Sequence, residues 1–475
     1  MGGYQVQYVP GLVAPIVELC LSVHEGLRSV AVKIMQAMIV SEWTLSDDLS
    51  IIEAEIIDAL DHMFKAKNVG ESLQQRLFVN ELMDLFEPLA LIQGDGLWQA
   101  LKALVATVDE LLDLLMAVHS TDNTEAFRIM HTLRLMDFLR DMQKEAIFVR
   151  YVHQLAQVQA DSGNTTAAGL ALRLHADLYT WDSTWRVKAI VNPKFPDQTS
   201  FERREQLFFQ MIGFFEEGQA WNSALACYQE LAGQYETYHF DFAKLARTQR
   251  AMAKIHESIA KGEIQTPRFF RVVYRGPGFP VGLRDKQFIF EGATAEKISA
   301  FTDRMQQQHP SAQVVPSGDI EDVEGQFLQI SAVSPYRDLE HPLYQRWKVP
   351  QSTRDYLLYS QANQFTITSR RHSPSSDIKT QWIEKTVYTT AEPFPTILRR
   401  SEIVDVDTMP LSPLQTAIER TLRKTSELAA LQQRMTNGEE AAFTNLTEAI
   451  SNSVDPSSVS SVAQYRQLLP SNELG

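Results

Sequence analysis

The sequence predicts a mainly α-helical fold with a β-rich middle lobe, and three observations carry that expectation. Apolar residues return at three- and four-residue spacing from Val13 to about Ile259. From Gln265 the character changes to short aromatic and β-branched runs that end in Gly/Pro turns. After Asp407 the helical spacing returns. The expected order is a helical array, an antiparallel β-lobe and a helical lobe.

In the first region, "LFVNELMDLFEPLALI" and "VDELLDLLMAVHS" carry leucine and methionine stripes that suit core packing between helices. Two later stretches read as helical hairpins. Gly163-Asn164 breaks "EAIFVRYVHQLAQVQADSGNTTAAGLALRLHADLY", and Gly218 breaks "QLFFQMIGFFEEGQAWNSALACYQELAGQY" ahead of Trp221, Ala224, Leu225, Tyr228 and Ala232. Small residues alternating with aromatics let helices approach and fill the grooves, which suits a TPR/armadillo-like array and a surface for protein contacts.

The strand region opens with "RFFRVVYRGPGFP" and "DKQFIFEG" and continues through "GQFLQISAV", "NQFTITSR" and "TQWIEKTVYTTAEPFP". Its Gly276-Pro277-Gly278 turn lacks the lysine and following helix of a phosphate loop, so its glycines serve backbone turning. A helix over "TAEKISAFTDRMQQQHP" interrupts the strands and stops at Pro310. The next helix is signposted by Ser412 at the N-cap and Pro413 at the first helical position, with Leu414, Ala417, Ile418, Leu422 and Leu428 along one face. A polar break at "TNGEE" then leads to the serine-crowded end, "AISNSVDPSSVSSVAQYRQLLPSNELG".

Composition bounds the function. A chain of 475 residues exceeds one ordinary core, so two or three domains, or an extended helical array with a domain attached, are expected. Hydrophobic residues at 44% and charged residues at 22% argue against wholesale disorder. The net charge of -15 disfavours a nonspecific nucleic-acid binder, which needs a concentrated basic surface. Cys20 and Cys227 are too few and too far apart in sequence for a disulfide framework or a zinc site, which suits a reducing compartment. Prolines and Glu18 interrupt the N-terminal apolar run, so no transmembrane helix is expected. Val6 stands where a myristoylation signal needs serine or threonine.

Conventional enzyme chemistry has no visible foothold. Histidines form no HExxH pair, serines no GxSxG elbow, and Glu216 and Glu217 face different directions on a helix. Trp382, Glu384 and Tyr388 alternate along one strand face, a pattern that suits sheet packing more than ligand recognition. No metal site and no cofactor are expected, and the chemistry points to an interaction protein.

Four separated motifs, "FFRVVYRGPGFPVGLRDKQFIFEG", "QWIEKTVYTTAEPFPTILRR", "LSPLQTAIE" and "VDPSSVSSVAQY", resemble in order and spacing the DOCKER domain of the DOCK (dedicator of cytokinesis) guanine-nucleotide exchange factors. "IGFFEEGQAWNSALACYQELAGQYE" fits the helical lobe of the same family, and the resemblance runs from about Ser120 to Tyr465. It implies a helical region at 1–119, a first lobe at 120–264 that mediates homodimerisation, a β-rich second lobe at 265–408 that meets a GTPase switch, and a helical third lobe at 409–475. The implied partner is a Rho-family small GTPase, of the Rac type by the look of the "VDP" loop and "GPGFP" turn. An ELMO-type scaffold and cytoplasmic location, with membrane recruitment through regions outside this chain, follow from the same resemblance.

In that family a valine, the nucleotide sensor, is carried to the magnesium position of the bound GTPase. No bond chemistry is involved. Val454, Asp455 and Pro456 align with the sensor loop; Val459 is the sensor if one residue is inserted, Ser458 if none is, and Val462 is a distant third choice. Ser460 and Ser461 stand where the family carries glycines. Ile383 and Tyr388 are implied partner-binding markers of the β-lobe, and Ser412 and Pro413 position the third-lobe helix. The chain stops at Gly475, whereas the family's third lobe continues with further helices, so an incomplete bundle is implied. The alternative is a non-catalytic dimeric helical scaffold that binds GTPase or other protein partners.

Overall fold

The computed structural model describes residues 9–66, 72–90, 96–120, 125–316, 324–345, 349–370, 379, 382–436, 438–456 and 461–469. The chain divides into two compact units, Met1–Leu155 and Ala156–Gly475.

All described elements of the first unit are helices: α1 Val9–Cys20, α2 Glu25–Ser46, α3 Ser50–Lys65, α4 Ser72–Ala90, α5 Gly96–His119, α6 Glu125–Asp141 and the first part of α7, Glu145–Asp161. Its core follows the apolar spacing, with Met35 and Ile39 of α2, Ile56 and Leu60 of α3 and Leu104, Leu111 and Leu115 of α5 all buried. Buried polar groups are satisfied locally. Glu42 accepts the Ile51 and Ile52 N–H groups at 2.9 and 3.0 Å, closing the start of α3. Asp61 accepts from Arg150 at 2.5 Å and from the Tyr151 hydroxyl at 3.1 Å.

The second unit begins with the end of α7 and continues through α8 Thr165–Ala176, the two-residue strands β1 Arg186–Val187 and β2 Gln198–Thr199, α9 Ser200–Glu217, α10 Trp221–Gln234 and α11 Phe242–Lys261, with a π-helical turn at Tyr235–His239. The second hairpin turn falls at Gly218 as predicted, but the left-handed step is taken by Gln219, at φ +52°. Glycine suits 218 for a different reason: a Cβ there would lie 2.5 Å from Thr166 Oγ1 of the neighbouring turn, which would have to give way. Ala224, Leu225 and Tyr228 of α10 are buried, as the hairpin pattern requires.

The β-lobe contains β3 Arg268–Arg275, β4 Gln287–Gly292, α12 Ile298–Gln308, β5 Gln313–Val314, β6 Phe327–Pro335, α13 Pro342–Gln345, α14 Gln351–Tyr359, β7 Gln364–Arg370, β8 Ile383–Thr390 and β9 Arg400–Leu411. Strand order is β3-β4-β9-β8-β7-β6, and β6 pairs back to β3, so six antiparallel strands close on themselves. Among the described residues only β5 runs parallel, along β6. Alternation along β3 feeds two cores. Phe270, Val272 and Tyr274 pack with Phe301 and Met305 of α12, whereas Phe269 joins Ile289, Val333, Phe365, Tyr388 and Phe394. Closure removes most of the open edges that a flat sheet would expose. At the predicted turn, Gly276 takes φ +102°, and a Cβ on it would meet the Gly325 carbonyl oxygen at 2.4 Å.

Helix does not return directly after Asp407. Strand β9 carries on to Leu411, three residues past the segment limit drawn at 408, and α15, Pro413–Thr436, starts only there. α16, Glu440–Val454, packs back on α15, and a short α17, Val462–Tyr465, follows.

Candidate functional site

The candidate site is built where the β-lobe hands over to the C-terminal helices. β9 pairs with β4 only over Arg400–Glu402 and with β8 over Ile403–Leu411. Beyond Glu402 one side of β9 therefore has no strand neighbour among the described residues, and exposed Val404 and Val406 alternate with exposed Asp405 and Asp407. An unpaired edge with alternating apolar and acidic side chains can accept another protein through backbone pairing or side-chain contact.

Three polar devices fix α15 at the end of that strand. Ser412 and Gln415 form a reciprocal cap: the Gln415 N–H donates to Ser412 Oγ at 3.3 Å and the Ser412 N–H to Gln415 Oε1 at 3.0 Å. Lys385 of β8 is 3% exposed and pairs with Glu419 on the next turn of α15, its ammonium 4.6 Å over the Tyr336 ring. Farther along, Ser426 Oγ donates to Asp355 Oδ1 of α14 at 2.5 Å, and Gln351 Nε2 donates to both, at 2.8 and 2.9 Å. Desolvation pushes the Asp355 carboxyl above its ordinary range, and the Ser426 and Gln351 hydrogen bonds oppose that rise.

Held in this way, the helical pair presents apolar groups outward. Leu414 and Ile418 share one face of α15, and Phe443, Ile450 and Val454 share one face of α16; all five are exposed. Ala442 and Ala449 supply the buried seam of α16. Val454 closes α16 with 66% of its surface exposed, and Asp455 and Pro456 are exposed after it. Ser461 is buried and caps α17, accepting the Gln464 N–H at 3.4 Å, while Gln464 Nε2 donates to the Pro456 carbonyl at 2.9 Å. Residues 457–460 lie outside the described residues, so the Val459 and Ser458 readings do too. Val462 is described and exposed.

Ile383 and Tyr388 are buried, at 4% and 5% exposure. Tyr388 packs against Phe269, Phe365 and Phe394, and the Arg271 guanidinium sits 4.8 Å over its ring. These two residues support the strand that carries the surface. Trp382, just ahead of β8, is half exposed, so the three alternating positions 382, 384 and 388 do not form one ligand face. Sequence reasoning missed the β9 edge and the Lys385–Glu419 latch. The first had a signal in "EIVDVDTM", whose valines and aspartates alternate with period two; the second joins residues 34 apart and had none.

A wider cleft of about 610 Å³ lies between the hairpin turns of the second unit and the β-lobe. Arg399 bridges it, donating to Asn164 Oδ1 at 2.5 Å and to the Glu291 carbonyl at 3.3 Å, and Gln159 Nε2 donates to the Ile397 carbonyl at 3.0 Å. Cys20 and Cys227 are free and buried, and burial pushes both thiols up to about 12. Among the described residues, no three His, Cys, Asp or Glu side chains come together to hold a metal ion, and no helix is long and apolar enough to cross a membrane.

Comparison with known proteins gives consistent matches. The profile of the family described as "Dedicator of cytokinesis (DOCK) TPR region" matches residues 1–82. Dedicator of cytokinesis protein 4 of Mus musculus is 27% identical over 484 residues, which is 98% of this chain and 24% of that protein. Dedicator of cytokinesis protein 3 of Homo sapiens is 27% identical over 485 residues, with the same two coverages. DOCK-like protein 1 of Saccharomyces cerevisiae is 25% identical over 465 residues, 94% of this chain and 24% of that protein. The chain thus spans about a quarter of the length of the curated relatives it matches. With strand-rich and helical lobes in the order that the motifs imply, and similarity along nearly all of its residues, this chain is a homologue of the dedicator of cytokinesis proteins.

Proposed function

We propose that this chain is a guanine-nucleotide exchange module that promotes GDP release from a Rho-family small GTPase, of the Rac type. The observation that carries the reading is the run of outward apolar groups at the end of the β-lobe and on α15 and α16, leading to exposed Val454 and the loop after it. In this reading the GTPase lies against the β9 edge and the two helices, and Val459 enters the site of the GTPase's magnesium ion. An isopropyl group offers no lone pair to an ion that demands near-octahedral oxygen ligation. Excluding the cation leaves phosphate charge unbalanced in a low-dielectric pocket, which weakens nucleotide binding. A thousandfold acceleration requires lowering the barrier by about 4 kcal/mol, within reach of one lost metal contact plus a displaced switch.

The segments 1–119, 120–264, 265–408 and 409–475 serve in this reading as a preceding helical region, a dimerising first lobe, a switch-contacting second lobe and a third lobe that carries the sensor. Homodimerisation, an ELMO-type scaffold and a cytoplasmic setting with recruitment to membranes belong to the same proposal.

The test is release of labelled GDP from Rac-type and other Rho-family GTPases, with wild type and Val459→Ala. We expect acceleration that favours the Rac type and falls at least tenfold in the variant. Undiminished acceleration in Val459→Ala removes that residue from the sensor role.

A dimeric, non-catalytic scaffold is the second reading, favoured by Ser461, whose side chain caps α17 at a position where glycine would allow close backbone approach. Affinity separates the two. Exchange requires preference for the nucleotide-free GTPase, because coupling between nucleotide and exchange factor is reciprocal; equal affinity for both forms favours the scaffold.

A further inference from the structure

We propose that the cavity at the junction of the β-lobe and α15 binds a phosphoryl oxyanion, taken from a soluble phosphate ester or a lipid headgroup. The cavity has a volume of about 240 Å³ and is walled by β6, β7, β8 and α15. Arg337, Lys385, Arg420 and Arg423 line it, against a single acid, Glu419. Lys385 and Glu419 neutralise each other, and Arg337 lies near Asp355 and reaches Ser426 Oγ only at 3.5 Å. Arg420 and Arg423 have no ion pair or hydrogen bond among the described residues, which leaves two guanidinium charges unbalanced in a chain of net charge -15.

The second observation is independent of charge. Thr416 lines the same cavity, is 7% exposed, and its Oγ1 is buried without a hydrogen-bond partner among the described residues. Such a hydroxyl is a free-energy cost unless an acceptor reaches it. A phosphoryl group presents at least three acceptor oxygens in different directions, which matches two or three guanidinium forks and one hydroxyl arriving from different elements; a carboxylate has only two oxygens, both in one plane. Because the donors come from both β-lobe and helix, the bound anion ties α15 to the sheet.

The test uses the full chain without any GTPase, so its failure is separate from failure of the exchange reading. Inorganic phosphate is titrated calorimetrically at low salt against wild type, Arg420→Ala/Arg423→Ala and Thr416→Val, with thermal melts of each. We expect saturable binding that falls at least tenfold in the double variant and several-fold in Thr416→Val. The unliganded Thr416→Val protein should melt no lower than wild type, because its hydroxyl has no partner to lose. Cosedimentation with phosphatidylcholine vesicles, with and without phosphatidic acid, separates the sources: phosphate-competed binding to the acidic vesicles alone assigns a headgroup, and phosphate binding without vesicle binding assigns a soluble ester. Absence of saturable binding in both arms overturns the site, and so does binding that both variants retain at wild-type strength.

Discussion

The β-lobe and the C-terminal helical pair sit side by side in one unit and are stabilised in opposite ways. The lobe closes six strands around two aromatic-rich cores, with Phe270 stacked on Phe301 at a centroid distance of 4.2 Å. α15 and α16 bury little more than Ala417, Leu431, Ala442 and Ala449 and are placed by the Ser412 cap, the Lys385–Glu419 pair and the Asp355–Ser426 hydrogen bond. Dense packing resists displacement everywhere, whereas a few polar latches fix position only where they act. The surface assigned to partner contact lies on the element held by latches. Substitutions in the two regions should therefore differ in kind as well as size.

The largest effect is expected in the packed region. Phe270→Ala removes a ring buried against α12 and should cost about 3–5 kcal/mol by urea denaturation, with the whole β-lobe losing protection together. A loss confined to α12 would mean that the lobe is less cooperative than its closed strands imply. Next comes the main latch. Lys385→Ala leaves Glu419 without its ammonium partner and should cost about 2–3 kcal/mol, somewhat below a fully buried pair because the Glu419 side chain stays 21% exposed. Hydrogen exchange should locate that loss in α15, with the strands still protected. Replacing both partners, as Lys385→Met/Glu419→Leu, should recover most of it. If the double variant is as unstable as the single one, tight packing rather than charge pairing holds the helix.

How much of this was legible depended on how local the cause was. Ser412 and Pro413 were readable because a cap and a first-turn proline act within four residues of chain. Gly218 and Gly276 were readable as turns, although the reason for glycine at 218 is an approach by Thr166, which lies 52 positions away. The β9 strand was missed because a closed sheet shelters only its ends, leaving 404–408 exposed on both faces, so the pattern lacks a buried side. Lys385, Arg337 and Asp355 carried no signal at all, since each acquires its meaning from α15, tens of residues on. The hairpins between Glu145 and Gln234 suggested stacking from composition, whereas the family profile matches the TPR region at 1–82, where leucine, valine and isoleucine mix along the helices and no small-and-aromatic alternation marks a hairpin.

His309, at the end of α12, is packed against Tyr274 and Phe279 with ring centroids at 5.4 and 5.5 Å, and burial, reinforced by the Arg400 charge, lowers its pKa from about 6.5 to about 4. The folded imidazole thus takes up its proton later than the unfolded one as pH falls. Between pH 6.5 and 4 the unfolded state binds more protons, so stability declines through that window as pH is lowered. The contribution is about 1–2 kcal/mol after discounting the ring's partial exposure. His309→Gln should flatten the decline in urea titrations at pH 7 and pH 5. Equal slopes in variant and wild type would shift the acid sensitivity to other groups.

The smallest effect separates local from tertiary control of α15. Ser412→Ala removes the hydroxyl that accepts the Gln415 N–H and should cost about 1 kcal/mol, while Ser412→Gly should cost only a few tenths of that order, since glycine also tolerates the cap position. The change should appear as faster amide exchange at Gln415–Ala417 with the Lys385–Glu419 turn unaffected, because the ion pair enters the helix after its first turn. Unaltered exchange at those amides would place the helix start under the control of buried Leu411 and Ala417, and the latches would then begin at Lys385. Fraying that spreads past Glu419 would point the other way, to a helix whose position is set at its first residue.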